Sequence, residues 1–213
     1  MELQGKRLNP GLSSRSATPE RRTLTVEAQA IMGNTDMFFQ SCSSPVGPLT
    51  LASDGDRLIG LWLAGQKYYG SGRLEAMTEG DAPVLRAGRA WLDRYFAGEK
   101  PCPSELPLCP AGSEFRREVW SLLCDIPYGE TTTYGAIAKK MAVRMGRESM
   151  GSQAVGGAVG HNPLSIIIPC HRVVGADGSL TGYAGGLDVK IKLLEGEGAD
   201  MSRLHRPRKG TAL

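Results

Sequence analysis

The amino-acid sequence predicts an α+β fold in the broad α/β class. A small N-terminal domain built on an antiparallel sheet is followed by a C-terminal domain of short helices. Three features of the chain lead there. Apolar runs at 37–42, 47–53 and 57–63 are separated by turn residues, with Asp54-Gly55 the strongest signal, which is the pattern of an antiparallel meander. Apolar residues then recur at helical spacing in several stretches between 81 and 160, each bounded by Ser, Thr, Asp, Gly or Pro. Finally, Ile166-Ile167-Ile168 reads as a short buried strand that stops at Pro169 and delivers Cys170-His171-Arg172 at its end.

The elements follow in order. Residues 1–36 are rich in Ser, Thr, Arg, Gly and Pro without a sustained period and read as a disordered extension. Their three Glu and lack of an amphipathic face speak against a targeting peptide, and Met32 and Met37 are plausible alternative starts. After the three strands, Asp81 is placed to cap a helix with Pro83 in its first turn. Val84, Leu85, Gly88, Trp91, Leu92 and Tyr95 share one face of that helix, and Gly98 ends it. Nothing in 37–98 looks catalytic, so this segment reads as a structural domain.

Residues 99–112, with Pro at 101, 103, 107 and 110, read as an extended, semi-rigid linker. Ser113 caps a helix that buries Phe115, Val119, Leu122, Leu123 and Ile126, and Pro127-Tyr128-Gly129 breaks it. Thr133 caps a second helix with Tyr134, Ile137, Ala138 and Met141 on one face. A turn around 143–149 leads to a helix at 151–160 made largely of small residues. By spacing alone this pair is either a helix-turn-helix or an ordinary helical hairpin. A last helix carries Leu187, Ile191 and Leu194, and the domain spans 113–198. Residues 199–213, with Arg203, Arg206, Arg208 and Lys209, read as a disordered basic tail.

The chain has 213 residues, 41% hydrophobic and 22% charged, a globular balance. No run approaches the ~18 apolar residues of a membrane span. Five cysteines, odd in number and irregularly spaced, argue against a disulfide framework and for a reducing, cytoplasmic setting. Cys102 and Cys109 have no neighbouring His or Cys to complete a zinc set. The net charge of +3 resides in the tails, which carry +5, while residues 31–198 sum to −2. Any affinity for nucleic acid must therefore come from a local patch.

Chemistry concentrates at Cys170. The thiolate is the nucleophilic form of cysteine, and cationic groups lower its pKa. His171 and Arg172 are such groups by sequence. A cysteine beside apolar residues is otherwise a small core residue, so the surrounding motifs decide. Pro169-Cys170-His171-Arg172-Val173-Val174 is preceded by Val155-Gly156-Gly157-Ala158 and Asn162-Pro163 and followed by Gly182-Tyr183-Ala184-Gly185-Gly186-Leu187. Together these strings resemble the O6-alkylguanine-DNA alkyltransferases, also called methylated-DNA–protein-cysteine methyltransferases. The resemblance covers residues 115–198, with a weaker match over 37–98.

The resemblance implies a winged helix-turn-helix that binds double-stranded DNA from the minor groove and flips the alkylated guanine out. Tyr134, Gln153, Ala154, Gly156, Gly157, Asn162 and Arg172 match its DNA-binding positions. Gln153 stands where many members carry Arg. Its side chain would fill the gap left by the base, without charge and with less bulk. Lys139, Lys140, Arg144 and Arg147 are candidates for phosphate contacts. Asn162 matches a side chain that ties the DNA-binding helix to the active-site strand. Cys170 matches the alkyl acceptor, with His171 as its base, Glu197 as the acid orienting His171, and Tyr134 as proton donor to the leaving guanine. Val173, Val174, Tyr183, Ala184, Gly185 and Gly186 match the loop lining the substrate pocket. The implied reaction consumes the protein in one turnover, without metal or organic cofactor, in a monomer. O6-alkylguanine, and O4-alkylthymine beside it, is the implied substrate class. A damage-recognising DNA-binding protein without transfer is the alternative, and a Cys-His hydrolase is a third reading.

Overall fold

The computed structural model describes residues 37–207. The expected extension at 1–36 and residues 208–213 of the expected tail lie outside the described residues.

Strands β1 (Phe38–Cys42), β2 (Leu49–Ser53) and β3 (Leu58–Leu63) form the expected antiparallel meander. A two-residue strand, β4 (Thr78–Glu79), adds to the other edge of β1 in parallel, giving the order β3-β2-β1-β4. Every residue of β2 is buried. Helix α1 (Pro83–Phe96) contributes Leu85, Trp91 and Leu92 to the main core with Leu49, Leu51 and Leu61. Ala52, Trp62 and Met77 form a separate small cluster. The Trp62 ring lies over Gly60, where a Cβ would come within 2.0 Å of it, so only glycine fits there.

Asp81 does not cap α1. The N-cap is Ala82, without a side-chain cap, and the Asp81 carboxylate instead pairs with Arg86. A guanidinium one turn into the helix thus outcompetes the first-turn N–H groups. Gly98 does end the helix, at φ +82°, with its N–H on the Tyr95 carbonyl. The Pro-rich stretch then runs along β3: Leu58 N–H donates to Pro107 O, and Cys109 N–H to Leu58 O, both at 2.8 Å. Trp91 Nε1 pins it further through the Cys102 carbonyl at 2.9 Å.

Helix α2 (Glu114–Cys124) starts at Ser113, whose hydroxyl accepts from Arg116 N–H. Thr133 caps α3 (Tyr134–Arg144) in the same way, accepting from Ala136 N–H at 3.1 Å. A turn leads into α4 (Ser152–Gly160), and Trp120 Nε1 ties α2 to α4 through the Ala158 carbonyl at 2.9 Å. Strands β5 (Thr132–Thr133) and β6 (Val173–Val174) pair in parallel beside these helices. Helix α5 (Leu187–Gly196) closes the site. One hydrophobic core runs through both halves, from Leu49 and Leu61 to Val155, Ile167 and Cys170.

Two further expectations need correction. Residues 166–168 are buried but are not a strand. Leu164 makes one bridge to Leu61, and Ile166 then takes φ +69° and turns the chain, with Ile168 N–H on Leu164 O at 2.9 Å. The Asn162 amide supplies partners that a neighbouring strand would otherwise supply. Its Nδ2 donates to Ile168 O at 2.8 Å, and its Oδ1 accepts from Leu164 N–H at 3.0 Å. Residues 199–207 are not a loose tail either. Asp200 caps a turn at Met201–Arg203, and Leu204 packs on Val174, Leu180 and Leu194. His205 exchanges backbone hydrogen bonds with Leu180 and Gly178. Apolar Met201 and Leu204 carry the segment onto the body despite its arginines.

Candidate active site

Pro169 lacks an N–H and ends the turn that follows Ile166, and a short 3-10 turn, Cys170–Arg172, carries the reactive side chains. Cys170 does not sit at a strand end, because residues 166–168 form no strand. It is 4% exposed and belongs to the main core. Asn162 Nδ2 donates to its Sγ at 3.1 Å. Burial pushes the thiol up, while the Asn162 hydrogen bond and the Lys190 charge pull it down.

Lys190 is the unforeseen member of the site. It is fully buried in α5, and its ammonium donates to Val173 O at 2.6 Å and Thr181 O at 2.7 Å. Burial pushes it down to about 8, and Cys170 acts against that shift. The cation that favours a thiolate is therefore Lys190, not the sequence neighbours His171 and Arg172. Its position is the one trace in the sequence: Lys190 lies three residues after Leu187 and four before Leu194, a cation inside the apolar stripe of its helix, with nothing local to say what it meets.

His171 and Arg172 both turn to Glu197, the C-cap of α5. His171 Nε2 lies 2.7 Å from Glu197 Oε1. Arg172 Nε donates to Oε2 at 2.8 Å, Arg172 NH2 to Oε1 at 2.9 Å, and Arg172 NH1 to the Ile126 carbonyl at 2.6 Å. Tyr95 from α1 donates its hydroxyl to Oε1 at 2.7 Å, and Gly129 N–H donates to Oε2 at 3.1 Å. Gly129 has φ +78°, and a Cβ there would stand 2.8 Å from the Glu197 carbonyl, so the turn needs glycine to close on the helix end.

Burial alone would raise the Glu197 carboxyl, but the hydrogen bonds from His171 and Arg172 and the Arg172 charge hold it well below the usual carboxylate range. Burial lowers His171, against the pull of Glu197, and keeps the imidazole neutral. A neutral imidazole facing an ionised carboxylate carries its proton on Nε2, which leaves the lone pair on Nδ1. Nδ1 is buried with no hydrogen-bond partner among the described residues, as is the Tyr183 hydroxyl. The Tyr183 ring stands edge-on to His171 at 6.4 Å.

Arg172 was also expected on DNA. It is 6% exposed with its donors committed inside the protein, so it holds Glu197 and is not a surface contact. Asn162, 4% exposed, likewise serves the fold and the thiol, as its tying role implies, and does not face DNA. A buried polar group is costly unless paired, and both pair inward.

Tyr134 opens α3, and its hydroxyl donates to Thr181 O at 3.1 Å, the carbonyl that also accepts from Lys190. Burial and the Cys170 charge push it up to about 12. Val173 and Tyr183 are buried beside Cys170 in the main core, and Ala184 and Gly185 follow on the loop. A Cβ at Gly185 would meet Leu63 and the Tyr183 ring at 2.8 Å. A cleft is lined by Tyr134, Gln153, Gly156, Gly157 and Thr181 together with Tyr68 and His161. Gln153, Ala154 and Gly157 are exposed on α4. Lys139, Lys140 and Arg147 are exposed too, while Arg144 is engaged by Glu118 at 3.1 Å and Asp125 at 3.7 Å. Sequence reasoning missed Lys190, Tyr95 and Gly129. Tyr95 and Gly129 carried no local signal, because their partner lies 102 and 68 residues away.

Two family models match the chain. Residues 37–110 match the 6-O-methylguanine DNA methyltransferase ribonuclease-like domain, and residues 114–199 match the DNA binding domain of the same family. A methylated-DNA–protein-cysteine methyltransferase of Haemophilus influenzae is 40% identical over 161 residues, covering 76% of this chain and 86% of that protein. One of Methanosarcina acetivorans is 42% identical over 170 residues, covering 76% and 99%. Among solved structures, Mycobacterium tuberculosis OGT in complex with DNA is similar at 41% identity and a TM-score of 0.65, covering 78% of this chain and 94% of that one.

Proposed function

The chain belongs to the 6-O-methylguanine DNA methyltransferase family, and from that premise we propose that Cys170 is its alkyl acceptor. The protein repairs DNA by moving an alkyl group from O6-alkylguanine to its own cysteine. The observation that carries the assignment to Cys170 is the buried constellation around it: Asn162 and Lys190 act on the thiol, and Glu197, held by Arg172 and Tyr95, orients His171.

The mechanism follows from these groups. The Cys170 thiol gives its proton to His171 Nδ1 through a bridging water, and the Nε2–H donated to Glu197 stabilises the resulting imidazolium. Sγ then bonds to the alkyl carbon as the carbon–O6 bond breaks, its electron pair passing to the guanine. The Tyr134 hydroxyl protonates that guanine, and the phenolate recovers a proton from the imidazolium. The guanine ends with a hydrogen in place of the alkyl group, and the cysteine ends as a thioether. A thioether has no easy route back to thiolate, so each molecule acts once.

DNA docks on α4, where Gln153, Ala154, Gly156 and Gly157 let the sugar-phosphate backbone approach. A Cβ at Gly157 would meet no atom of the protein within 4 Å, so the fold itself does not need glycine there, and an outside partner supplies the reason. Residues 37–98 support the site through Tyr95, and 113–198 carry it. The protein acts as a monomer in the cytoplasm. Among the described residues no helix is long and apolar enough to cross a membrane.

Weighing the intact protein after incubation with a duplex containing O6-methylguanine tests the assignment. The expected gain is one methyl group on Cys170, lost in Cys170→Ala while duplex binding persists. An unchanged wild-type mass with a bandshift would support the binding-only alternative. Label on Cys42, Cys102, Cys109 or Cys124 would overturn the role of Cys170.

A further inference from the structure

The loop after β3 reaches the cleft outside Cys170 and carries an aromatic side chain that the mechanism does not use. Tyr68 is 45% exposed and holds φ +62°, a backbone region that aromatic residues seldom occupy. Its ring stacks on His161 at 4.1 Å between centroids and 21° between planes. His161 is fixed in turn through Nδ1 and the Gly157 carbonyl at 2.7 Å. The Lys67 ammonium lies 5.2 Å from the Tyr68 ring centroid.

The root of the loop is anchored on both sides of Tyr68. Gln66 Oε1 accepts from Leu63 N–H at 2.8 Å and from the Ser165 hydroxyl at 3.1 Å. Lys67 N–H donates to Ala184 O at 3.1 Å, and the Tyr69 and Thr50 hydroxyls meet at 2.7 Å. An exposed ring is thus held in place, stacked on His161 and with the flexible Lys67 ammonium over it. It faces the same cleft as Gln153, Gly156 and Gly157.

We propose that Tyr68, backed by His161, is a stacking platform for a nucleobase of the DNA docked on α4, with Lys67 meeting a neighbouring phosphate. The proposal rests on the DNA-repair reading above and extends its interface to the N-terminal half of the chain. A held aromatic face beside a cation is the combination that binds unstacked bases, because every base offers a π-face and every linkage a charge. Tyr68 lines this cleft together with Tyr134 and Thr181, and the mechanism above gives its ring no proton to move and no group to hold at Cys170.

The test measures methyl transfer from an O6-methylguanine duplex and reaction with free O6-benzylguanine, using the full chain. Tyr68→Ala and Tyr68→Leu should each slow the duplex reaction about 10-fold, equivalent to about 1.4 kcal/mol. Tyr68→Phe and Tyr68→Trp should stay within about twofold of wild type, and all four should react normally with the free base. Lys67→Ala should flatten the salt dependence of duplex binding. An unchanged duplex rate in Tyr68→Ala, or full activity in Tyr68→Leu, would overturn the platform. So would equal slowing on duplex and free base, which would make Tyr68 part of the pocket. A wild-type chain that reacts with neither substrate would instead strike down the repair reading, and the platform with it.

Discussion

Replacing Gly157 with alanine should make the protein more stable and a poorer repair agent. Gly157 lies inside α4 and is exposed, its φ is outside the left-handed region, and a Cβ there would touch nothing within 4 Å. Glycine in a helix interior costs about 0.5–1 kcal/mol relative to alanine through lost backbone entropy. With no clash to offset that gain, Gly157→Ala should be stabilised by about that amount. For a domain of this size the melting temperature should rise by roughly 1–4 °C. The same methyl group points to where a DNA backbone would lie against the helix. Holding that backbone off should slow transfer from duplex O6-methylguanine by about 10-fold, or about 1.4 kcal/mol. Free O6-benzylguanine, which never meets the helix face, should react at the wild-type rate. Thermal melting and single-turnover transfer on both substrates make the check. A raised melting temperature with an unchanged duplex rate would refute the close-approach argument. A fall of several degrees would show that the glycine serves internal packing after all.

Glu197→Gln should cost about 3–5 kcal/mol, because it leaves the Arg172 guanidinium buried without its counter-charge, and should slow transfer on duplex and free base alike; urea melts and both rates read this. Wild-type stability should fall with acid in two stages. His171 is held neutral, so stability present above its ordinary value of 6.5 is lost as pH falls below it. Glu197 is held ionised, so a further loss begins below its ordinary value of 4.5; melts flat from pH 7 to 5 would contradict the first sign, and melts flat from pH 5 to 2 the second. Tyr95→Phe removes one donor to the Glu197 carboxylate and should cost about 1 kcal/mol, with acid unfolding starting at higher pH, as circular dichroism titration would show. Gln153→Ala should slow duplex repair about 10-fold and spare the free base, since flipping and not chemistry is impaired. Gln153→Arg should speed duplex repair and steepen its salt dependence.

Local chemistry was legible where alternation, turn residues and hydroxyl caps decided it, and misleading at Asp81, which pairs with Arg86 in place of capping its helix. The three strands followed from alternation and from Asp54-Gly55, and the starts of α2 and α3 from Ser113 and Thr133. Cys170 and His171 stood out through their motif string, and Tyr134 and Glu197 only through the family resemblance. What only the tertiary structure decided was which groups meet. Arg172 follows His171 in sequence and is a cation, yet both side chains turn away to a carboxylate 25 and 26 residues on. The charge beside the thiol is Lys190, hidden in an apolar stripe where a sequence reading expects only core. Ile166–Ile168 are β-branched and buried, but the Asn162 side chain supplies backbone partners and bends the segment into a turn. Met201 and Leu204 sit among arginines, yet the apolar patch of Val174, Leu180 and Leu194 draws them in. Propensity and spacing act along the chain and can be read there. Burial decides which charges must pair and which backbone groups need a side chain, and it exists only once distant segments have packed.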